Sequence, residues 1–167
     1  MDFHGIPIGS VWTAVRWLPP IILRTFFPKR RLADLQLVDL RPRHEPVTID
    51  LGENPTFCIW LDAINLSPFK VELDRAEFQF WYGSSPFEAK ILKRQSIAPG
   101  DKALFYLSGS IPEGIATQIA KNYKANGNID GMLAGHIDFN CDLHAFGKDI
   151  TSLSGIRPRV LNENFRQ

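Results

Sequence analysis

The sequence predicts a mainly β protein, an antiparallel β-sandwich of about seven or eight strands, with one helix at about 112–126 and an apolar helical segment at the N-terminus. Three observations predict this fold. Apolar residues recur at every second position, turn residues separate these runs, and one later segment has helical spacing. With 167 residues, 44% of them apolar, the chain can close one core but is too short for two ordinary domains. We expect an N-terminal segment at 1–31 and a sandwich domain at 32–167.

Short strands are predicted wherever apolar side chains alternate with their neighbours, since alternate residues of a strand point to the same face of a sheet. In the clearest run, which begins at Phe57, the second, fourth and sixth residues after Phe57 are also apolar, as a buried face requires. Glycine, proline, asparagine and aspartate residues separate such runs as turns. The predicted strands lie near residues 47–51, 57–63, 71–73, 78–82, 87–91, 103–110 and 133–146.

One later segment has the spacing of a helix. Ile115, Ile119 and Tyr123 recur every four residues and would form one apolar stripe. Pro112 stands near the start of the segment and Gly127 just past its end, as is common for helices. We expect this helix to cover an open end of the sandwich core.

The N-terminal segment is apolar over residues 6–27, and cationic residues follow it directly. Arg16 near its centre and the Pro19-Pro20 pair argue against a regular membrane span, so an interfacial or re-entrant helix is at least as good an interpretation. The alternatives are packing on a partner subunit or on this protein's own core. The residues predicted to contact a membrane or a partner are Trp12, Trp17, Phe26 and Phe27.

Because the positive charges follow the apolar stretch, this segment is a poor cleavable signal peptide and is expected to be retained. If it enters a membrane, its basic cluster should stay on the cytoplasmic side. The localisation predicted is therefore membrane-associated, with the folded domain on the cytoplasmic side.

The charge is unevenly distributed along the chain. Residues 1–43 contain seven Lys and Arg against three Asp, and the remainder contains twelve against fifteen acidic residues, a split of +4 and −3. If the two ends of the chain meet at one pole, the cations could form one patch for anions or lipid headgroups; the alternative is separate salt bridges. The candidate residues are Lys29, Arg30, Arg31, Arg41, Arg43, Arg157 and Arg159.

A row of polar residues in the last predicted strand is the best candidate for chemistry. Its members could share a metal only if another strand supplied further ligands, so we interpret the row as a solvated outer face. No nucleophile elbow, phosphate-binding loop or dinucleotide fingerprint is present. We therefore predict no catalytic, cofactor-binding or metal-binding residues, and no enzyme activity. The row consists of His136, Asp138, Asn140, Asp142 and His144.

Two further features bear on function. Cys58 and Cys141 lie in strand-like runs, and both interpretations stay open: two buried free thiols, or a disulfide between the sheets. The acidic body lacks a basic stripe interleaved with aromatic residues, which argues against nucleic-acid binding.

The run from Phe57 to Leu73 contains an alternating apolar strand, an Asn, a Pro-containing turn and a second strand. This order resembles the late embryogenesis abundant type 2 proteins, also called the water-stress-and-hypersensitive-response domain, over about residues 35–150. The family's Asn-Pro is spread here over Asn65-Leu66-Ser67-Pro68. The other matching pieces, in order, are Phe78 and Phe80 in a strand, a turn at 97–100, Ile111-Pro112 before a helix, and a late strand at 135–139.

The resemblance implies an immunoglobulin- or fibronectin-like sandwich, often tethered by an N-terminal membrane segment, with stress-protective or binding roles and no catalytic residues. It also implies that Asn65 satisfies backbone groups at the turn between strands. We expect a non-catalytic, membrane-associated binding or stress-protective module. The alternative is a structural subunit that docks through its N-terminal segment and exposed Trp60 and Trp81 on another protein.

Overall fold

The computed structural model describes residues 17–40, 47–91 and 94–166, the side chains of Ile91 and Arg166 excepted. Two short helices open this part of the chain, ten strands follow, and one longer helix interrupts them. The helices are α1 (Pro20–Phe26), α2 (Lys29–Asp34) and α3 (Glu113–Asn126), and a 3₁₀ turn lies at Glu163–Arg166. The strands are β1 (Gln36–Leu40), β2 (Val47–Asp50), β3 (Thr56–Asn65), β4 (Val71–Tyr82), β5 (Ser85–Ile91), β6 (Gln95–Ile97), β7 (Lys102–Ser110), β8 (Gly131–Cys141), β9 (Ala145–Ile156) and β10 (Arg159–Leu161).

The first sheet, called the β3 sheet below, is built around β3. β7 pairs antiparallel along one edge of β3, from Thr56 to Ile64. β1 and β2 share the other edge: β1 pairs with the C-terminal half of β3 and β2 with the N-terminal half. β10 extends this sheet by parallel pairing with β2.

The second sheet, called the β4 sheet below, is entirely antiparallel in the described residues. β8 pairs with β4 along most of its length, and β9 pairs with the far side of β8. β5 and β6 share the other edge of β4. The predicted mainly β fold with two largely antiparallel sheets is therefore confirmed, although the described residues form ten strands where seven or eight were expected.

The core lies between the two sheets. The ring of Phe57 on β3 lies 4.7 Å from that of Phe87 on β5, which in turn lies 5.2 Å from Phe80 on β4. The predicted inward face of β3 is confirmed, because all four of its apolar residues are at most 2% exposed. These four are Phe57, Ile59, Leu61 and Ala63.

The helix predicted near 112–126 is present as α3. Pro112 occupies its N-cap position and Gly127 its C-cap position, where φ is +70°. A left-handed φ of this kind costs glycine little and other residues more. Ile119 is fully buried, whereas Ile115 and Tyr123 are partly buried against the core.

The last predicted strand, near 133–146, is wrong in extent. The chain forms β8, turns at residues 142–144 and returns as β9, a strand that the sequence pattern did not reveal. The pairing of β8 with β9 contains two register irregularities, between Ile150 and Ile156 of β9, and these disturb the two-residue period by which β9 could have been recognised. β10, only three residues long, was also missed.

The sandwich domain, expected from residue 32, has its first strand only at Gln36, because α2 extends to Asp34. α2 crosses the expected boundary between residues 31 and 32. Leu23 of α1, Phe27 and Leu32 of α2 are all buried in the same core as the sheets. Residues 20–34 therefore pack as part of the sandwich.

Candidate membrane-contact surface

α1 buries one side of its short helix against the sandwich. Leu23 and Phe27, four residues apart, point at the sandwich and are each 5% exposed. The Phe27 ring meets Phe69 edge to face at 5.2 Å, in the connection between β3 and β4. This contact fixes α1 against one end of the sandwich.

The opposite side of α1 is apolar and faces solvent. Trp17 is 87% exposed, Ile21 80% and Phe26 56%. Apolar side chains of this size, clustered on one short segment, are uncommon on a surface without an interaction partner. They form the apolar half of a surface that we call the α1 surface, which consists of Trp17, Leu18, Ile21, Ile22, Arg24, Phe26, Lys29, Arg30 and Arg31.

The other half of the α1 surface is cationic. Arg24, Lys29 and Arg30 are exposed and form no ion pair with any residue in the described ranges. Arg31 is held more tightly: its guanidinium lies 5.3 Å from the Phe27 ring centre and donates to the carbonyl of Phe26 at 3.0 Å. The surface thus combines exposed aromatic and aliphatic side chains with four cations and no acidic residue.

Three of the four predicted contact residues fall within the described ranges, and the structure separates them. Trp17 and Phe26 lie on the α1 surface as exposed side chains. Phe27, predicted with them, is a core residue, because helical geometry turns it to the side of Leu23. Trp12 lies outside the described residues.

Ile21 and Arg24 belong to the α1 surface although neither was among the predicted site residues. The i, i+4 pair Leu23 and Phe27 could have revealed them, since a short helix that buries this pair exposes the residues that point away from it.

The cations predicted to share one patch are divided between the two ends of the sandwich. Lys29, Arg30 and Arg31 come just after Phe27 in the chain. Phe27 contacts Phe69 at the end of the sandwich where β8 finishes. Arg157 lies at the opposite end and donates to Asp130 at 3.0 Å, next to the start of β8. The eleven residues of β8 separate these ends by roughly 30 Å. Arg159 is on β10, near Arg157, and Arg41 and Arg43 lie outside the described residues.

Only part of the polar row predicted in the last strand lies on one face of a strand. His136, Asp138 and Asn140 lie on the outer face of β8, but Asp142 and His144 belong to the turn that follows. The Nε2 atom of His144 is buried. The row therefore ends where β8 ends, because the chain reverses there.

His136 lies between two carboxylates. Its Nδ1 atom is 2.5 Å from Asp149 on β9, and its Nε2 atom is 3.2 Å from Asp138. The hydrogen bond to Asp149 is the main reason why the pKa of His136 is raised above its ordinary 6.5; desolvation opposes it and Asp138 adds to it. Arg75 in turn donates twice to Asp138, at 3.0 and 3.1 Å.

The members of this network bond to one another, and no group of three His, Cys, Asp or Glu side chains suited to a metal ion occurs in the described residues. Asp149 was not predicted, because it lies on the strand that the sequence pattern missed. We therefore interpret the network as a cross-strand tie between β4, β8 and β9.

Both cysteines are free and half-buried in the structure. Cys58 lies on the outer face of β3, where its Sγ atom and the hydroxyl of Tyr106 share a hydrogen bond at 2.8 Å. Trp60, two residues further along β3, packs on the same Tyr106 ring at 4.4 Å between ring centres. Trp60 and Trp81 lie on different sheets, so these two tryptophans form no common surface.

Asn65 is the most highly connected polar side chain of the core. Its amide nitrogen donates to the carbonyls of Phe69 at 2.8 Å and Ile97 at 3.1 Å. Its amide oxygen accepts from the backbone and hydroxyl of Ser67 and from the side chain of Gln36. The expectation that Asn65 satisfies backbone groups at this turn is confirmed.

Comparison with known proteins shows the fold alone. No family model and no curated protein matches the sequence. Among solved structures, the Northeast Structural Genomics Consortium target SoR45 has a TM-score of 0.51 and 10% identity, covering 75% of this chain and 88% of that one. A protein from Arabidopsis thaliana scores 0.49 at 14% identity, covering 70% and 80%. A candidate late embryogenesis abundant (LEA) protein scores 0.42 at 10% identity, covering 98% of both chains.

The first of these structures shares the overall fold of this chain, and that is the extent of the likeness. In the described ranges, no helix has both the length and the apolar character needed to cross a bilayer.

Proposed function

We propose that this chain is a non-catalytic β-sandwich module of the late embryogenesis abundant type 2 kind, with a stress-protective or binding role, that attaches to anionic membrane surfaces through the α1 surface. The observation that carries the attachment is the combination of exposed Trp17, Ile21 and Phe26 with the cations of residues 24–31. Such a combination is typical of interfacial helices, whose apolar side chains enter the headgroup region while cations bind anionic lipid.

The anchoring of α1 supports this proposal. Leu23 and Phe27 hold the helix on the sandwich, so its exposed side chains are presented by a rigid support. Trp17 suits the boundary between headgroups and acyl chains, since an indole has an apolar body and a polar edge. This geometry favours a helix that lies on the membrane with the domain beside it.

The assignment to the LEA type 2 kind is supported by the run Phe57 to Leu73 and by the role of Asn65 in its turn. The immunoglobulin- or fibronectin-like type of sandwich and the cytoplasmic position of the domain remain predictions of the sequence. The non-catalytic character is supported by the lack of any nucleophile, phosphate-loop or dinucleotide motif in the sequence.

Liposome co-sedimentation of the full chain tests the attachment. We expect binding to vesicles of phosphatidylcholine with phosphatidylserine, less binding to phosphatidylcholine alone, and weakening by salt. Lys29→Ala with Arg30→Ala should weaken binding to the anionic vesicles by about tenfold or more, at about 1 kcal/mol per cation. Trp17→Ala with Phe26→Ala should weaken binding to both kinds of vesicle.

A matched control removes two cations from the opposite end. Arg157→Ala with Arg159→Ala changes the net charge equally and should leave vesicle binding unchanged. If the full chain stays in the supernatant with anionic vesicles, or if both pairs of cations matter equally, the proposal is refuted. Docking of the same segment on a protein partner, the alternative expected from the sequence, would then be the better hypothesis.

A further inference from the structure

One edge of the β3 sheet is a long and regular strand. β7 pairs with β3 from Lys102 to Ser110 with no shift of register. No strand pairs with the other edge of β7 in the described part of the chain. An unpaired strand edge presents backbone N–H and C=O groups that another strand can bind.

The remaining edges of both sheets carry features that oppose strand pairing. β9 packs against α2, carries the charged residues Lys148 and Asp149, and pairs irregularly with β8 between Ile150 and Ile156. β5 contains Pro86 at its start and Glu88 and Lys90 further along. β1 and β10 are only five and three residues long. Charges, proline, short length and coverage are the usual means by which proteins block edge-to-edge association.

β7 is nine residues long, has no proline and pairs regularly with β3, and its contacts with β5 and β6 come from the facing sheet. From Ala103 to Ser110 it contains no charge and no proline. Its outward side chains include Leu104, 37% exposed, and Tyr106, 47% exposed. Trp60 packs beside Tyr106, so the outer face next to this edge is aromatic.

We propose that β7 pairs antiparallel with β7 of a second copy of this chain, across a two-fold axis at Tyr106. Tyr106 is the middle residue of the nine in β7, so this axis pairs the whole strand with itself. Each Leu104 then lies opposite Ser108 of the other copy, and each Lys102 opposite Ser110. The two sheets join into one continuous sheet.

The distribution of charge along β7 favours a second copy of this chain as the strand that pairs with it. Lys102, the one charged residue of β7, forms an ion pair with the nearly buried Asp62 of its own chain. In the two-fold register it meets a serine hydroxyl and not its own copy, so no like charges face each other. The Tyr106 rings meet at the axis with a Trp60 on each side, which extends the aromatic cluster across the interface.

Cysteine cross-linking tests the register. In a Cys58→Ser, Cys141→Ser background, Tyr106→Cys should form a disulfide-linked dimer on mild oxidation, because directly opposite residues fall within disulfide range. Leu104→Cys alone should not, since its two copies would be about 13 Å apart along the strands. A mixture of Leu104→Cys and Ser108→Cys chains should cross-link again.

Sedimentation velocity of the full chain tests the association without a cross-link. We expect a monomer–dimer equilibrium over about a hundredfold range of concentration. Tyr106→Glu and Tyr106→Lys should each be monomeric, because like charges meet at the axis, and their mixture should form a heterodimer. Recovery in the mixture shows that both variants are folded.

Trp17→Ala with Phe26→Ala should still dimerise, which separates this inference from the membrane proposal. A chain that is monomeric throughout overturns the inference. It is also overturned if Leu104→Cys alone cross-links as readily as Tyr106→Cys, or if dimerisation requires Trp17 and Phe26.

Discussion

The imidazole of His136 joins two strands through Asp149: its Nδ1 atom lies 2.5 Å from the carboxylate of that residue on β9. His136 is on β8, and the two residues are register partners. The ring covers Gly147, where a Cβ atom would overlap it. The strength of this contact depends on the protonation state of His136. Imidazolium can donate to both neighbouring carboxylates at once, whereas neutral imidazole can donate to only one.

The first prediction concerns pH. The pKa of His136 is raised in the folded state by Asp149, so its contribution to stability is complete below the unfolded-state pKa near 6.5 and is lost as pH rises through the folded-state value. His136→Gln should therefore lower the free energy of unfolding most near pH 6 and least near pH 9, by at most about 1 kcal/mol for so exposed a pair. Denaturant titrations at several pH values measure this.

Asp149→Asn should remove most of that pH dependence, whereas Asp142→Asn, in the exposed turn, should preserve it. An equal loss for His136→Gln at both ends of the pH range would contradict the assignment.

The second prediction concerns Asn65, whose side chain is fully buried. Asn65→Ala leaves the Ser67 hydroxyl and the carbonyls of Phe69 and Ile97 with fewer partners, and we expect a loss of about 3 kcal/mol in the free energy of unfolding. Thermal and urea denaturation measure it. Asn126→Ala, at the exposed end of α3, is the control and should change stability by less than about 0.5 kcal/mol. A similar loss of stability at both positions would show that the hydrogen bonds of Asn65 do not stabilise the fold.

The third prediction contrasts two adjacent phenylalanines. Phe27→Ala removes a buried ring from its contact with Phe69 and should cost about 3 kcal/mol or more of stability. Phe26→Ala removes an exposed ring and should leave stability nearly unchanged while it weakens vesicle binding. Parallel denaturation and co-sedimentation separate the two roles. If Phe27→Ala is as stable as Phe26→Ala, α1 does not pack on the sandwich as described.

The fourth prediction concerns two glycines. A Cβ atom at Gly135 would lie 2.8 Å from the Cα of Phe78 on β4, so Gly135→Ala must push the strands apart and should cost about 2 kcal/mol. Gly114 in α3 has nothing within 4 Å of such an atom. Gly114→Ala should therefore stabilise the protein by about 0.5 kcal/mol or more, since alanine favours helix. Melting temperatures that move in the same direction for both would contradict this reasoning.

Much of the fold could be predicted from the sequence because local patterns dictate it. Alternation fixed the buried face of β3, and the stripe Ile115, Ile119 and Tyr123 with Pro112 and Gly127 located α3 within a residue or two. β9 could not be found in this way, because its irregular register with β8 removes the period of two.

The candidate site was predicted in composition but not in geometry. Trp17, Phe26 and the cations at 29–31 were named from their order along the chain, yet the sequence placed Phe27 with them. Only the contact with Phe69, a residue more than forty positions away, turns Phe27 inward. The same limit applies to Arg157 and Lys29, which the sequence could combine in one patch and the strands hold at opposite ends.

The sequence by itself determined the kind of secondary structure, the buried face of each regular strand and the clustering of apolar and basic residues before residue 32, since all of these depend on neighbours along the chain. The tertiary structure decided which side of α1 faces solvent, how Asp149 reaches His136 and which sheet edge stays open at β7. These depend on contacts between distant segments, and their register is set by packing of the whole core, which no local pattern encodes.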